Sequence, residues 1–374
     1  MIRHMYEAIF QKPKPIAGLD GVRGLCVLLV LTDHARLTNA LETGTLAVWV
    51  FFALSGFLIV PILFRARLRL EADVTDSLSE ILLFNRDRIL RIFPIYYIAL
   101  VIASILGPRL GSSGNIDKLQ GSETWLFTYT TNLYIGFIRE GWLGPLSHLW
   151  TLAIEQQFYL LFPLIFIFIP ARRWQRMLVL STIILILVSA ILFFNNELQF
   201  RVNSLSGFYA ICFGGLCGLW AQNNARRWII PFPGVGIAAV GAALIVQHIV
   251  FTLAGLPNFT LLIAPLLAGL LIVLISVNQN NVAIRLLELP ALRGVGVVSY
   301  GFYLFHGFVL GPSGRFISEI TALDGGVAFK LLQVTCAFFV TMIVSMVSFL
   351  YFEKKLLQLK RRPVKPILAK LSAD

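Results

Sequence analysis

Residues 18–35 read GLDGVRGLCVLLVLTDHA. An apolar run from Leu25 to Leu31 lies between two charged groups, Asp20 with Arg23 before it and Asp33 with His34 after it. Asp20 and Arg23 interrupt the first apolar run of the chain, and no Ala-x-Ala-like exit follows. The segment therefore reads as a retained first helix rather than a cleavable leader. Arg23 and His34 are eleven positions apart. On an α-helix they fall within about 20° of one face, separated by a rise of roughly 16 Å. Asp20, three residues before Arg23, is placed to pair with it. One stripe thus carries a carboxylate–guanidinium pair near one end and an imidazole near the other. Two readings stand for it: Arg23 snorkels to headgroups while His34 sits at the interface, or the stripe lines a polar path.

The rest of the chain makes the bilayer the solvent. Of 374 residues, 57% are hydrophobic and only 13% charged, with a mean hydropathy of +0.81. A soluble domain carries about 25% charged residues. A soluble globule, a disordered chain and a disulfide scaffold are excluded. The four cysteines, Cys26, Cys212, Cys217 and Cys336, lie in apolar runs without ligand spacing and read as packing. No metal site is expected.

Segments long enough to cross a bilayer fall near 17–37, 44–64, 91–108, 147–169, 177–195, 205–221, 231–251, 259–277, 296–312 and 327–352. The stretch 125–137, with Thr128, Thr130, Thr131 and Asn132, is ambiguous and reads as re-entrant or superficial. Charge arbitrates. If 125–137 does not span and the N-terminus is cytoplasmic, 23 of the 31 Lys and Arg face the cytoplasm and 6 face outward. If it spans, the split becomes 13 inside and 16 outside. The expected fold is all-α: a polytopic membrane protein of about ten transmembrane helices with both termini cytoplasmic. Its parts are a cytoplasmic arm 1–15, a transmembrane domain 16–352 and a solvated basic tail 353–374. The net charge of +12 then belongs to membrane boundaries. No aromatic–basic module supports a nucleic-acid partner.

An ionisable residue inside a span is a functional hypothesis. Beyond the first helix, His148, Glu155 and Tyr159 share one face at spacings of seven and four. Ser299, Tyr303 and His306 do the same at i, i+4 and i+7. Glu155 either faces a polar cavity or bonds another helix's backbone. His306 is structural or faces an acceptor. Arg88 and Arg91, expected in the loop before the third span, share a face and could grip phosphate as guanidinium forks or mark a membrane boundary. Ser55-Gly56 reads as a small pair for close helix packing. Asp33 and His34, adjacent on a helix, point about 100° apart and should not pair directly.

Five segments in this order, GLDGVRGLCVLLVLTDHA (18–35), WVFFALSGFLI (49–59), RDRILRIFPIYY (86–97), LWTLAIEQQFYLLFPL (149–164) and VSYGFYLFH (298–306), resemble the acyltransferase-3 family of integral membrane acyltransferases over about Ile16 to Tyr351. Arg23 and His34 match the family's Arg-x10-His spacing, Arg88 and Arg91 its Arg-x-x-Arg pair, and Glu155 its acidic residue. The resemblance implies transfer of an acyl group, often acetyl, from cytoplasmic acyl-coenzyme A to a hydroxyl of a carbohydrate or lipid-linked glycan acceptor, in the bacterial cytoplasmic membrane. Some members carry a fused SGNH-type domain, for which this sequence is expected to have no room.

On that expectation His34 is the general base, with an acyl-histidine route as the alternative. Glu155 orients the imidazole or binds acceptor hydroxyls, and Arg23 anchors donor or stabilises developing charge. Arg88, Arg91 and Arg23 hold the acyl-CoA. Asp20, His148, Tyr159, Tyr303 and His306 act behind them or toward the acceptor. A glycolipid transporter or flippase is the rival reading, although no internal repeat is visible.

Overall fold

The computed structural model describes residues 15–106, 121–224, 230–321, 323 and 325–359, all in helices, turns and loops, with no strand among them. Residues 1–14 of the expected N-terminal arm, Arg109 and Lys118, Arg226 and Arg227, and the tail from Lys360 lie outside the described residues.

Each expected span has its helix. These are α1 (Leu19–His34), α2 (Thr43–Glu71), α3 (Ser77–Leu106), α4 (Leu149–Phe166), α5 (Trp174–Phe193), α6 (Ser204–Asn224), α7 (Pro233–Leu253) and α8 (Pro257–Val277). The short α9 (Pro290–Val297), α10 (Ser299–Ile320) and α11 (Val327–Ser348) follow. Among the described residues eight helices are long and apolar enough to cross a membrane, and a ninth span results if α9 and α10, bent by 79° at Val298, count as one. The first helix has 16 residues, a rise of about 24 Å, somewhat short of a hydrocarbon core. The stretch 125–137 breaks into a helix Glu123–Phe127, a turn at Tyr129 with φ 54° and a π-helical turn Tyr134–Ile138. None of these crosses a bilayer.

One expectation is corrected. Arg88 and Arg91 are not in a loop before the third helix. That helix starts fourteen residues earlier than the expected span, at Ser77, where the Asp76 carboxylate accepts from Ser79 N at 2.9 Å and caps it. The two arginines lie well inside α3. Hydropathy misses this start because the first turns of α3 are mixed, with Leu78 and Leu82 exposed beside buried Glu80. At the other end of the chain the helix runs past the expected boundary of the tail. Glu353 is buried, accepts from Ser348 Oγ at 3.2 Å and leads into a short helix, Lys354–Leu359.

The bundle is centred on α2. In its most apolar stretch 78% of residues are buried, against 17% in α5 and in α7, which present Ile191 and Leu253 outward as lipid-facing surface. Small residues let α6 close on α2. A Cβ on Gly56 would lie 1.8 Å from the Ile211 carbonyl oxygen, and one on Gly214 would lie 2.0 Å from that of Ala53. Between helices already solvated by lipid, such backbone approach is the main source of association. The small-pair reading of Ser55-Gly56 therefore holds for Gly56.

A second close approach seats α1 on the α9 segment, where a Cβ on Gly296 would meet the Asp20 carbonyl at 1.7 Å. The N-terminus of α1 has no side-chain cap of its own. Glu288 supplies one from across the chain, accepting from Gly18 N at 2.6 Å. With α1 fixed on α9 and the chain bent sharply into α10, the C-terminal end of α1 meets the middle of α10. Gly214→Val should open the α2–α6 seam and cost at least about 1–3 kcal/mol, read as a lower unfolding temperature in detergent. Unchanged stability would mean that the seam is looser than described.

Candidate active site

All ten residues singled out in the sequence fall in two connected layers. The lower layer is a partly open cavity of about 430 Å3 bordered by α1, α2, α3, α4, α6 and α10. Asp20, Arg23, Arg88, Arg91, Glu155, Tyr159 and Tyr303 line it. Asp20 pairs with Arg23 at 2.8 Å, as the three-residue spacing requires. Glu155, half-buried in α4, accepts from Ser55 Oγ at 2.5 Å, and Arg91 and Arg23 are close enough to act on its charge. Ser55 is thus a polar member of the site as well as a small residue, which its place in an apolar run does not reveal.

The arginines of α3 are unusual for their setting. Arg88 lies over the Phe84 and Tyr159 rings at 5.5 and 6.0 Å, and its buried Nε has no hydrogen-bond partner. Neither Arg88 nor Arg91 forms a hydrogen bond with a described residue or lies within ion-pair distance of a described carboxylate; longer-range attraction reaches Arg88 from Asp87 and Glu155, and links Arg91 to Glu155 and Glu353. Cations left unpaired in an apolar bundle are costly. An anionic ligand in the cavity would offset that cost.

The upper layer is a cluster of three histidines drawn from α1, the start of α4 and α10. His34 Nδ1 is 2.8 Å from His306 Nε2, with the rings stacked at 5.0 Å. The His148 ring lies 4.6 Å from His306 and 6.2 Å from His34. Gly307 makes room for this approach, since a Cβ there would be 2.6 Å from His148 Cε1. Tyr303 joins the layers. Its ring borders the cavity and its hydroxyl bonds Thr151 Oγ1 at 2.8 Å and the His148 carbonyl at 3.0 Å.

These contacts assign the protons. His306 Nδ1 faces the Tyr303 carbonyl at 2.6 Å. A carbonyl only accepts, so Nδ1 carries the hydrogen and, in the neutral ring, Nε2 is a bare acceptor. It must accept from His34 Nδ1–H. The remaining nitrogen of His34, Nε2, then carries a lone pair and has no partner among the described residues. His34 is exposed as a residue at the end of α1, and no described residue bonds this nitrogen. The two ring nitrogens of His148 face the carbonyls of Pro145 and Leu304 at 3.0 and 3.3 Å and are not.

The ring bonded to His34 is therefore that of His306; Glu155 bonds Ser55 instead. Asp33 turns away, toward the backbone N–H groups of Thr43 and Gly44 at the start of α2, in keeping with the angle between adjacent helical positions. Sequence periodicity placed His306 on the correct face of its helix. It carried no signal of a contact spanning 272 residues. Among the described residues no group of His, Cys, Asp and Glu has an arrangement that would hold a metal ion.

Residues 16–350 match the family described as "Acyltransferase domain". The chain is 27% identical over 317 residues to an O-acetyltransferase OatA of Staphylococcus aureus, covering 79% of this chain and 50% of that protein. It is 26% identical over 318 residues to the peptidoglycan O-acetyltransferase OatA of Listeria monocytogenes, covering 78% and 49%. A putative O-acetyltransferase of Staphylococcus aureus is 31% identical over 163 residues, 42% of this chain. The chain thus spans about half the length of the first two. No solved structure matches.

The proton assignment has a direct readout. In protein labelled with 15N-histidine, His34 should resonate as the Nδ1–H tautomer with an unprotonated Nε2. His306→Ala should convert it to a mixture of tautomers. A wild-type Nε2–H signal from His34 would overturn the assignment.

Proposed function

This chain belongs to the acyltransferase domain family, and from that premise we propose that it is a membrane O-acyltransferase that moves an acyl group, acetyl by the names of its relatives, from cytoplasmic acyl-coenzyme A to a hydroxyl of a carbohydrate or lipid-linked glycan. The observation that carries the proposal is the bare Nε2 of His34 above a cavity lined by unpaired guanidiniums. One half suits proton abstraction, and the other suits a polyanionic donor.

The orientation follows the charge distribution of the chain: the start of α1 and the end of α2 face the cytoplasm, and His34 lies toward the outer face. Coenzyme A stays on the inner side. Arg88, Arg91 and Arg23 bind its phosphates by charge-assisted hydrogen bonds, with Asp20 fixing the rotamer of Arg23. Glu155, held by Ser55, balances the guanidiniums and positions Arg91 and Arg23. The pantetheine arm runs along the α1 stripe and brings the thioester to His34.

The acceptor hydroxyl, entering from the outer side, attacks the thioester carbon while His34 Nε2 takes its proton. The new C–O bond forms, the C–S bond breaks, and the departing thiolate takes the proton back from His34. Free coenzyme A and an O-acyl ester leave on opposite sides. His306 keeps the lone pair of His34 aimed at the acceptor, and His148 with Tyr303 buttresses His306. A neutral imidazole suits the task because a general base must be unprotonated at the operating pH.

His34→Ala should lower acyl transfer by about 100-fold or more, the range of general-base contributions, with membrane insertion unchanged. Arg88→Ala with Arg91→Ala should instead raise the acyl-CoA concentration needed for half-maximal transfer. Transfer by the His34 variant at the wild-type rate would rule out the base. A fall in protein abundance alone in the arginine variant would make the pair a membrane-boundary feature.

A further inference from the structure

Three arginines stand at the far end of α2, and they differ in what they touch. Arg67 is consumed by Glu71 Oε1 at 3.1 Å and the Ile167 carbonyl at 3.0 Å. Arg69 is consumed by a two-pronged pair with the buried Glu80 at 2.7 and 2.5 Å, which staples α2 to α3. Arg65 has neither a hydrogen bond nor an ion pair with any described residue, and it lines the cavity together with Gln222 of α6. A cation that borders a cavity while its neighbours are neutralised is a binding group without a ligand.

Its depth places it beyond the other arginines of the cavity. Asp33 of α1 touches Gly44 of α2, and the two helices run antiparallel from there. Eleven residues along each lie Arg23's neighbourhood on α1 and Ser55 on α2, so both stand about 16 Å below the His34 layer. Arg65 is ten residues beyond Ser55, a further drop of about 15 Å. Along α2, Val48, Phe51, Ser55, Leu58, Ile62 and Arg65 all line the cavity at spacings of three and four, so one face of the helix borders it from Val48 to Arg65. The site therefore has three tiers: the imidazole, the cluster of Arg23, Arg88 and Arg91, and Arg65 alone.

Coenzyme A presents its features in the same order. The thioester comes first, then the uncharged pantetheine arm, then the diphosphate, and last the phosphate monoester on the ribose. With the middle tier assigned to the diphosphate, we infer that Arg65 binds the ribose 3′-phosphate and makes the site selective for the complete nucleotide. The inference rests on the acyl-CoA reading of the same cavity. A guanidinium fork suits a terminal phosphate, which offers several equivalent oxygens, and Gln222 can add a hydrogen bond from its amide.

The test uses the purified full-length protein in detergent and two donors, acetyl-coenzyme A and acetyl-dephospho-coenzyme A, which lacks only the 3′-phosphate. Wild-type protein should bind the complete donor about tenfold or more tightly, the effect expected for losing hydrogen bonds to a charged group. Arg65→Gln should weaken acetyl-coenzyme A to the level of the dephospho compound and leave the dephospho compound within about twofold of wild type. Arg65→Lys should retain part of the preference. Equal weakening of both donors by Arg65→Gln, or no change in either, overturns the assignment while leaving the donor reading in place. Failure of the wild-type protein to bind either donor overturns the donor reading itself.

Discussion

Guanidinium groups without carboxylate partners inside a membrane bundle are the constraint on which the rest of this structure depends. Moving a cation out of water costs several kcal/mol unless it is paired or wetted. The protein has paired the cations it uses for structure: Arg69 with Glu80, Arg67 with Glu71, and Arg201 with Glu42 and Glu197. It has left Arg65, Arg88 and Arg91 unpaired around one cavity. The contrast separates the two sets more sharply than burial does, because Arg65 and Arg88 are half-buried like Arg67 and Arg69, while Arg91 is exposed.

The fold serves this arrangement by holding its parts on different helices. Glycines on α6 let α2 sit at the centre of the bundle, where one of its faces can line a passage from Val48 to Arg65. Glycine contacts between α1 and α9 fix the stripe that carries Arg23 and His34. The bend at Val298 then delivers His306 to His34. These are backbone-to-backbone contacts, so the polar groups are set by rigid elements rather than by loops.

Much of the scaffold was legible in the sequence, because a hydrophobic span and a one-face stripe are local properties. The Arg23–His34 stripe, the Asp20–Arg23 pair and the face shared by Ser299, Tyr303 and His306 needed only helical geometry. What was not legible depends on neighbours far along the chain. The Ser55–Glu155 bond spans 100 residues and the His34–His306 bond 272. Arg65 was hidden for a different reason. In a row of three arginines at the end of a span it looks like boundary charge, and only the partners of Arg67 and Arg69 set it apart. The early start of α3 was hidden because its first turns are amphipathic, so Arg88 and Arg91 looked like loop residues.

On the proposed reading the two layers divide the labour, with anion binding below and a proton acceptor above. They are separated by about 16 Å of helix, an interval that a long uncharged arm can bridge while its phosphates stay below. The most direct test is a cryo-electron microscopy map of the protein with acetyl-coenzyme A bound. The account predicts phosphate density against Arg23, Arg88 and Arg91 and the thioester in the layer of His34, within reach of a hydroxyl that also meets Nε2. A donor lying the other way round, or one bound outside this cavity, would contradict it.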